Sequence, residues 1–355
     1  MRKGAYGQMT TISSKQHRRR KAFTAITLAA ALASGLIACS SAEPEPTSGP
    51  DVPGAFEDAS GEITLYSALS QELTDSAVAQ FTELYPSVTV NALRLASGDL
   101  TTRFEAEWGA GAPVADIFIG SQANFAEKMY ELGAFARTDE ELVPAWGNLP
   151  ESARSEYYGV TDSTPVSITY NTDMVGDDVP SVWADLIDPK WKGNVLMPDP
   201  RNTEAWLATL LLFEQTFGEE WLEDFSALDP QLVQSSVPGA QQVAAGEFAL
   251  QFPSAVTMTP ALEKQGAPIS NALPTDLSTG IEHYLSVTST GAEKVAARAF
   301  ADWALSPAGL EVLSKGLYSP LPGVPGTIEL PEGYVTLPMD QVAANKARIL
   351  AVLGL

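Results

Sequence analysis

Apolar positions along the chain recur with two periods, and the two periods alternate. Ile63 to Leu69 is a compact apolar run that predicts a strand, and Asp75 to Tyr85 places Ala77, Val78, Phe81, Leu84 and Tyr85 on one helical face. Pro86 stops that helix, Val88-Thr89-Val90 alternates as a second strand, and Leu100, Phe104 and Trp108 mark the next helix before Gly109 and Gly111. Asp116 to Ile119 predicts a short buried strand ended by Gly120, and Ala123 to Leu132 predicts a helix with Gly133 placed to terminate it. Repeated strand-helix units imply a largely parallel sheet, with ligand groups gathered at the carboxyl ends of its strands.

Val160 to Thr172 then breaks the rhythm. It carries Ser163-Thr164-Pro165, a β-branched run from Val166 to Tyr170, and a turn at Asn171-Thr172. Beyond it the alternation starts again. Val195 to Met197 predicts a strand, Thr203 to Phe217 a helix ended by Gly218, and Gln231 to Gln234 and Phe248 to Phe252 further strands around a helix from Gly239 to Ala245. A helix is expected from Ser254 to Gln265, a returning extended segment from Ile281 to Val287, helices from Ala292 to Leu305 and after Ser306-Pro307, and a last helix around Val342 to Leu353. The chain is therefore expected to be α/β, with two lobes joined by extended crossings. Residues 62–165 form the first lobe, 166–280 the second, 281–325 return to the first, and 326–355 form a C-terminal helical segment packed on the second.

The N-terminus changes the picture of where this fold works. Lys15, Arg18, Arg19, Arg20 and Lys21 precede the apolar run Ala22 to Ile37, an arrangement of an export signal over residues 1–38. Residues 39–61 contain Pro44, Pro46, Pro50 and Pro53 with few large apolar residues, and read as a disordered tether. Removing the seven basic residues before Cys39 from the chain's 21 leaves 14, against 44 acidic residues, a balance of −30. Such a charge excludes nucleic acid and anionic lipid headgroups as partners.

The residue inventory narrows the chemistry further. His17 leaves with the signal, so His283 is the one histidine of the exported chain, and Cys39 is the one cysteine. One imidazole cannot build a His/Cys zinc site, no G-x-S-x-G elbow accompanies it, and neither a dinucleotide nor a phosphate loop occurs. No metal site and no cofactor is expected. Carboxylate pairs such as Asp177-Asp178 and Glu219-Glu220 sit in turn or helix-start contexts, and keep an exported carboxylate-dependent hydrolase as the alternative of another class.

What the chain does supply is polar loops after strands. The candidate ligand-binding residues are Tyr66, Ser67 and Ser70 after the first strand, Gly120, Ser121 and Gln122 after the third, Ser163 and Thr164 at the crossover, and Arg201, Asn202, Thr203 and Ser254 in the second lobe. Hydroxyls and free amides at helix starts hydrogen-bond polar solutes, oxyanions above all. Arg201 adds a cation at a strand-to-helix turn.

Several short segments carry a resemblance: Ile63-Thr64-Leu65-Tyr66-Ser67-Ala68, Ala115-Asp116-Ile117-Phe118, Thr169-Tyr170-Asn171-Thr172, Pro180 to Leu186, Asp188-Pro189-Lys190-Trp191-Lys192-Gly193, and Ala301 to Gly309. In this order the chain resembles the ferric-iron-type extracellular solute-binding proteins of ABC importers, a group that includes thiamine- and phosphonate-type binders. The resemblance covers Glu62 to Val324, and DPKWKG is its most specific piece. It implies a two-lobe type II periplasmic-binding fold with two crossing hinge strands, capture of a small-molecule solute between the lobes, hand-over to ABC permease subunits, and no enzymatic activity. Leu36-Ile37-Ala38-Cys39 resembles a lipobox, which implies lipidation of Cys39 and anchoring to the outer face of the cytoplasmic membrane through lipid alone; the receptor is expected to be a monomer.

Iron binders of that family hold the metal with adjacent tyrosines after a Gly-Glu segment of the second lobe. Here Gly246-Glu247 is followed at that place by Ser254-Ala255-Val256-Thr257. Their histidine and acidic ligands fall near Ser70 and Ser121, whose hydroxyls are poor donors for Fe(III). A small organic or oxyanion-bearing solute is the expected ligand, with an atypical ferric-iron site as the alternative.

Overall fold

The computed structural model describes residues 56–355, so the export signal, Cys39 and most of the tether lie outside the described residues. Phe56 and Ala59 are buried in the first lobe's core, so this part of the segment expected to be a tether up to residue 61 is packed.

The first lobe contains β1 (Gly61–Ser67), α1 (Gln71–Leu84), β2 (Val88–Arg94), α2 (Ser97–Gly109), β3 (Ile117–Gly120), α3 (Ala123–Glu131) and a short β4 (Arg154–Ser155) before the long β5 (Tyr158–Asn171). The second lobe adds α4 (Thr172–Val175), β6 (Val195–Pro198), α5 (Glu204–Phe217), α6 (Glu219–Ala227), β7 (Gln231–Val233), α7 (Ser236–Ala244), β8 (Leu250–Ala255), α8 (Pro260–Lys264) and β9 (Ile269–Ala272). The chain returns through β10 (Gly280–Val287), α9 (Ser289–Ala292), α10 (Val295–Leu305), α11 (Pro307–Leu313), β11 (Tyr318–Ser319) and β12 (Ile328–Glu329), and ends in α12 (Val342–Val352).

Local chemistry sets these boundaries. The Ser70 hydroxyl accepts from Leu73 N at the start of α1, and Ser306 accepts from Gly309 N with Pro307 at the first helical position of α11. Gly133 closes α3 at φ +74°, a left-handed conformation that a side chain would resist.

The strands follow the order β2-β1-β3-β10-β5-β8-β6-β7. β1 runs parallel to β2 and β3, and β6 runs parallel to β7 and β8. One strand joins the halves. β5 pairs antiparallel with β10 as far as Pro165, then pairs with β8 and β9 from Val166 onward.

Each lobe has its own core. Phe81, Phe300 and Trp303 fill the α1/α10 side of the first sheet, with the Phe81 and Phe300 rings edge to face at 5.0 Å, and Phe104, Phe118, Phe125 and Phe135 fill its α2/α3 side. In the second lobe Trp183, Trp191, Trp206, Trp221, Phe213 and Phe252 share one core, so these tryptophans are packing residues. Val342 and Ile349 of α12 belong to that core, and Arg348 donates to Glu214 of α5.

Two expectations need correction. The helix expected from Ser254 to Gln265 is mostly absent: Ser254 pairs with Ser167 inside β8, and Pro260 starts a five-residue α8. Strand pairing wins there because Phe252, Ser254 and Ala255 are all buried against β5. β9, which follows Gly266, was not expected, because Ile269-Ser270-Asn271-Ala272 lacks a strong apolar alternation.

Candidate functional site

The hinge ribbon is more polar than its depth suggests. In register, His283 of β10 faces Asp162 of β5, and the His283 Nδ1 lies 2.9 Å from the Asp162 Oδ2. Thr161 Oγ1 donates to Oδ1 of the same carboxylate at 3.1 Å, and both Thr161 and Asp162 are fully buried. The register shifts between His283 and Tyr284, a bulge of the kind that re-aims side chains. A buried carboxylate needs partners of this sort to stay in place.

Neighbouring strand residues point to opposite faces, so Glu282 and Ser163 lie on the other side of the ribbon. There Tyr284 Oη donates to Glu282 Oε2 at 2.6 Å, Thr336 Oγ1 donates to Oε1 at 3.0 Å, and Ser163 Oγ is 2.7 Å from Tyr334 Oη. Burial pushes the Glu282 carboxyl above its usual range, against the lowering effect of these hydrogen bonds. Tyr284 and Tyr334 on the same side and Asp162 through the ribbon are the titratable groups acting on it.

A raised carboxyl pKa means that the folded chain keeps this proton to higher pH than the unfolded chain does. The group's contribution to stability is complete below the ordinary carboxylate pKa and is lost as pH rises through the elevated one. Glu282→Gln, which cannot ionise, is expected to remove that decline. Thermal melts of both proteins between about pH 4 and 8 should show the variant gaining on wild type as pH rises, and a constant gap would refute it.

In the first lobe the strand ends converge as a lip. Ser67 Oγ is 2.9 Å from Thr74 Oγ1 and fully buried, Ser70 is engaged as the cap of α1, and Ser121 Oγ donates to Ser97 Oγ at 2.8 Å. Gly120 has no room for a side chain, because a Cβ would sit 2.5 Å from the Phe118 ring. Gln122 occupies the N-cap position of α3 without bonding to it. Tyr66 turns away from this lip: its hydroxyl donates to Glu107 at 2.8 Å and accepts from Arg103 Nε at 3.0 Å, on the α2 face.

The lip contains a cation that sequence reading passed over. Arg94 is exposed at the end of β2, its Nε donates to Leu69 O at 2.9 Å, and no carboxylate pairs with it among the described residues. Its scarcity was the available signal, since few basic residues occur and this one ends an alternating strand. Arg201, by contrast, is engaged. Its Nε and Nη2 reach the two Asp199 oxygens at 2.8 and 2.7 Å, which holds the Asp199 carboxyl below its usual range.

In the second lobe Asn202 Nδ2 donates to Gln234 O at 3.2 Å, and Thr203 sits at the N-cap of α5 with its hydroxyl unbonded to the helix. α2, α3, α5 and α7 all begin without a side-chain cap, leaving backbone N–H groups open at these strand ends. Deeper in, the structure gathers Ser254, Thr169, Ser167, Asn271 and Gln251. Ser254 Oγ is 2.7 Å from Thr169 Oγ1, Ser167 and Thr169 both donate to Asn271 Oδ1, and Gln251 Nε2 donates to Ser254 at 3.2 Å. Of the two crossover hydroxyls, Ser163 is held by Tyr334, while Thr164 Oγ1 turns to Asp162 at 3.5 Å.

No group of three His, Cys, Asp or Glu side chains that could hold a metal ion occurs among the described residues. An adjacent tyrosine pair, Tyr157-Tyr158, does occur just before the crossover, but Tyr157 stacks on Tyr130 at 5.2 Å and Tyr158 packs against Tyr284. No helix among the described residues is long and apolar enough to cross a membrane.

Comparison with known proteins agrees with this architecture. The family described as bacterial extracellular solute-binding protein matches residues 112–333. An uncharacterized protein of Haemophilus influenzae is 28% identical over 271 residues, which span 72% of this chain and 76% of that protein. Iron uptake protein A1 of a Synechocystis species is 28% identical over 227 residues, 61% of this chain and 59% of that protein. The crystal structure of the substrate binding protein of an ABC transporter from Agrobacterium tumefaciens matches with a TM-score of 0.71 at 16% identity, over 84% of this chain and 95% of that one. With two α/β lobes sharing β5 and a family match over more than half of its length, the chain belongs to the bacterial extracellular solute-binding proteins, a family of transport proteins and not of enzymes.

Proposed function

We propose that the protein is the lipid-anchored, monomeric receptor of an ABC importer, held by Cys39 at the outer face of the cytoplasmic membrane, and that it closes around a small oxyanion-bearing organic solute. The observation that carries this reading is β5, one strand that serves both sheets and pairs with the returning β10. Two strands crossing together form a hinge, and a solute that touches both lobes favours the closed state by its differential contacts. The choice of an oxyanion rests on Arg94, unpaired at the first-lobe lip, and on the uncapped starts of α2, α3, α5 and α7.

The test begins with mass spectrometry of solutes that co-purify with the protein, followed by thermal shift and small-angle scattering with each hit. A saturating solute should raise the melting temperature and compact the particle. Arg94→Ala is expected to weaken its binding at least tenfold, a loss of about 1.4 kcal/mol, and Arg201→Ala less. Stabilisation without compaction would sink the closing mechanism.

Ferric iron is the second reading, favoured by the name of the Synechocystis relative. It predicts a coloured tyrosinate complex on addition of ferric citrate. Val256 and Thr257, where the family's iron binders carry tyrosines, argue against it.

A further inference from the structure

The face of the hinge ribbon opposite the Asp162–His283 pair carries a cavity of about 210 Å³. Its walls come from four places: Ser152 just before β4, Ser163 and Glu282 on the two crossing strands, Tyr318 on β11, and Leu330, Tyr334 and Thr336 in the chain leading to α12. At ~30 Å³ for each water, the space is roughly that of seven water molecules.

Glu282, when ionised, has no counter-charge in this cavity. Glu282 accepts from Tyr284 and Thr336, but no lysine, arginine or histidine pairs with it among the described residues, and Asp162 behind it has the same sign. Neutral hydroxyls satisfy a carboxyl's geometry without supplying a counter-charge. Beside it, the Tyr318 and Tyr334 rings meet nearly perpendicular, with centroids 5.8 Å apart and planes at 79°. Aromatic rings beside a carboxylate attract a cation with an apolar shell, through the ring quadrupoles and the acid together. Leu330 and Pro331 complete the wall on the apolar side.

We propose that this cavity is a second ligand site, next to the interlobe one since Glu282 and Thr336 also line a small space reaching Ser121 of the lip, and that it takes a small organic cation: an ammonium or quaternary ammonium compound of about seven heavy atoms. Glu282 is its counter-ion, and Tyr318 and Tyr334 cover its methyl or methylene groups.

Choline is the probe, with 3,3-dimethylbutan-1-ol, its uncharged carbon isostere, as the comparison, and both are titrated calorimetrically into the wild-type protein. Choline should bind saturably, and the alcohol at least tenfold more weakly. Glu282→Gln, which keeps the size and one acceptor oxygen but removes the charge, should reduce choline affinity at least tenfold. Ser152→Trp, at an exposed position on the cavity rim, should reduce it similarly while the unliganded melting temperature stays unchanged, and it decides the matter should Glu282→Gln fail to fold. Arg94→Ala should bind choline as wild type does, which separates this site from the interlobe one. The proposal is overturned by any of three results: no saturable choline binding to wild type, equal binding of the alcohol, or choline affinity that survives Ser152→Trp.

Discussion

Phe213→Ala is expected to destabilise the second lobe by about 3–5 kcal/mol, the range for truncating a fully buried aromatic ring. Phe213 is completely buried on α5, and it holds four other rings in place: Trp183 at 4.5 Å, Trp221 at 5.0 Å, Phe252 at 5.1 Å and Phe217 at 5.7 Å. Those partners come from separate parts of the lobe, so collapse into the vacated space would have to move several elements at once. Denaturant unfolding followed by tryptophan fluorescence measures the loss, because Trp183 and Trp221 report on this cluster. A shift below about 1 kcal/mol would mean that the core relaxes freely, contrary to the packing described.

Gly291→Ala is expected to be strongly damaging despite the smallness of the change. A Cβ there would lie 2.1 Å from Asp116 O and 2.9 Å from its carbonyl carbon, and backbone atoms cannot step aside as a flexible side chain can. Asp116 is itself immobilised. Its backbone oxygen accepts from Thr288 N at 3.0 Å, and its carboxylate accepts from Thr64 N and from Lys294 Nζ, each at 2.8 Å. Overpacking of this kind costs about 1–3 kcal/mol or more. The strain passes into β3, which ends at the Gly120-Ser121 lip, so solute affinity should fall together with stability. Gly98→Ala is the control. It lies in α2 with nothing within 4 Å of the added carbon, and should be neutral or slightly stabilising. Equal effects at the two positions would show that the close approach at Asp116 is not a constraint.

Much of the architecture was readable because hydrophobic periodicity and helix punctuation agree in this chain. Pro86, Gly133, Gly218 and Ser306-Pro307 each mark an element end where a backbone requirement and a residue type coincide. Reading failed where burial overrode local signals. Ser254 looks like a helix cap, but β5 offers it a buried strand partner, and the strand wins. The site was harder, because a polar residue at a strand end looks the same whether it faces solute or holds its neighbours. Ser67, Ser163 and Ser254 all bond within the protein, and Arg201 is occupied by Asp199. Arg94 and Asn271 gained meaning only from distant neighbours: Leu69, 25 residues away, and Thr169, 102 residues away. His283 likewise gained meaning only from a distant partner, Asp162, which lies 121 residues earlier in the chain.

The placement of α12 bears on how the protein is made. Its Val342 and Ile349 complete the core of a lobe whose first residues are some 170 positions earlier, while Phe300 and Val324 complete the core of the other lobe. Domains usually fold as units while synthesis proceeds. Here neither half can finish early, because each waits for a late segment of chain. A chain still on the ribosome therefore carries two cores with pieces missing until its late segments have emerged.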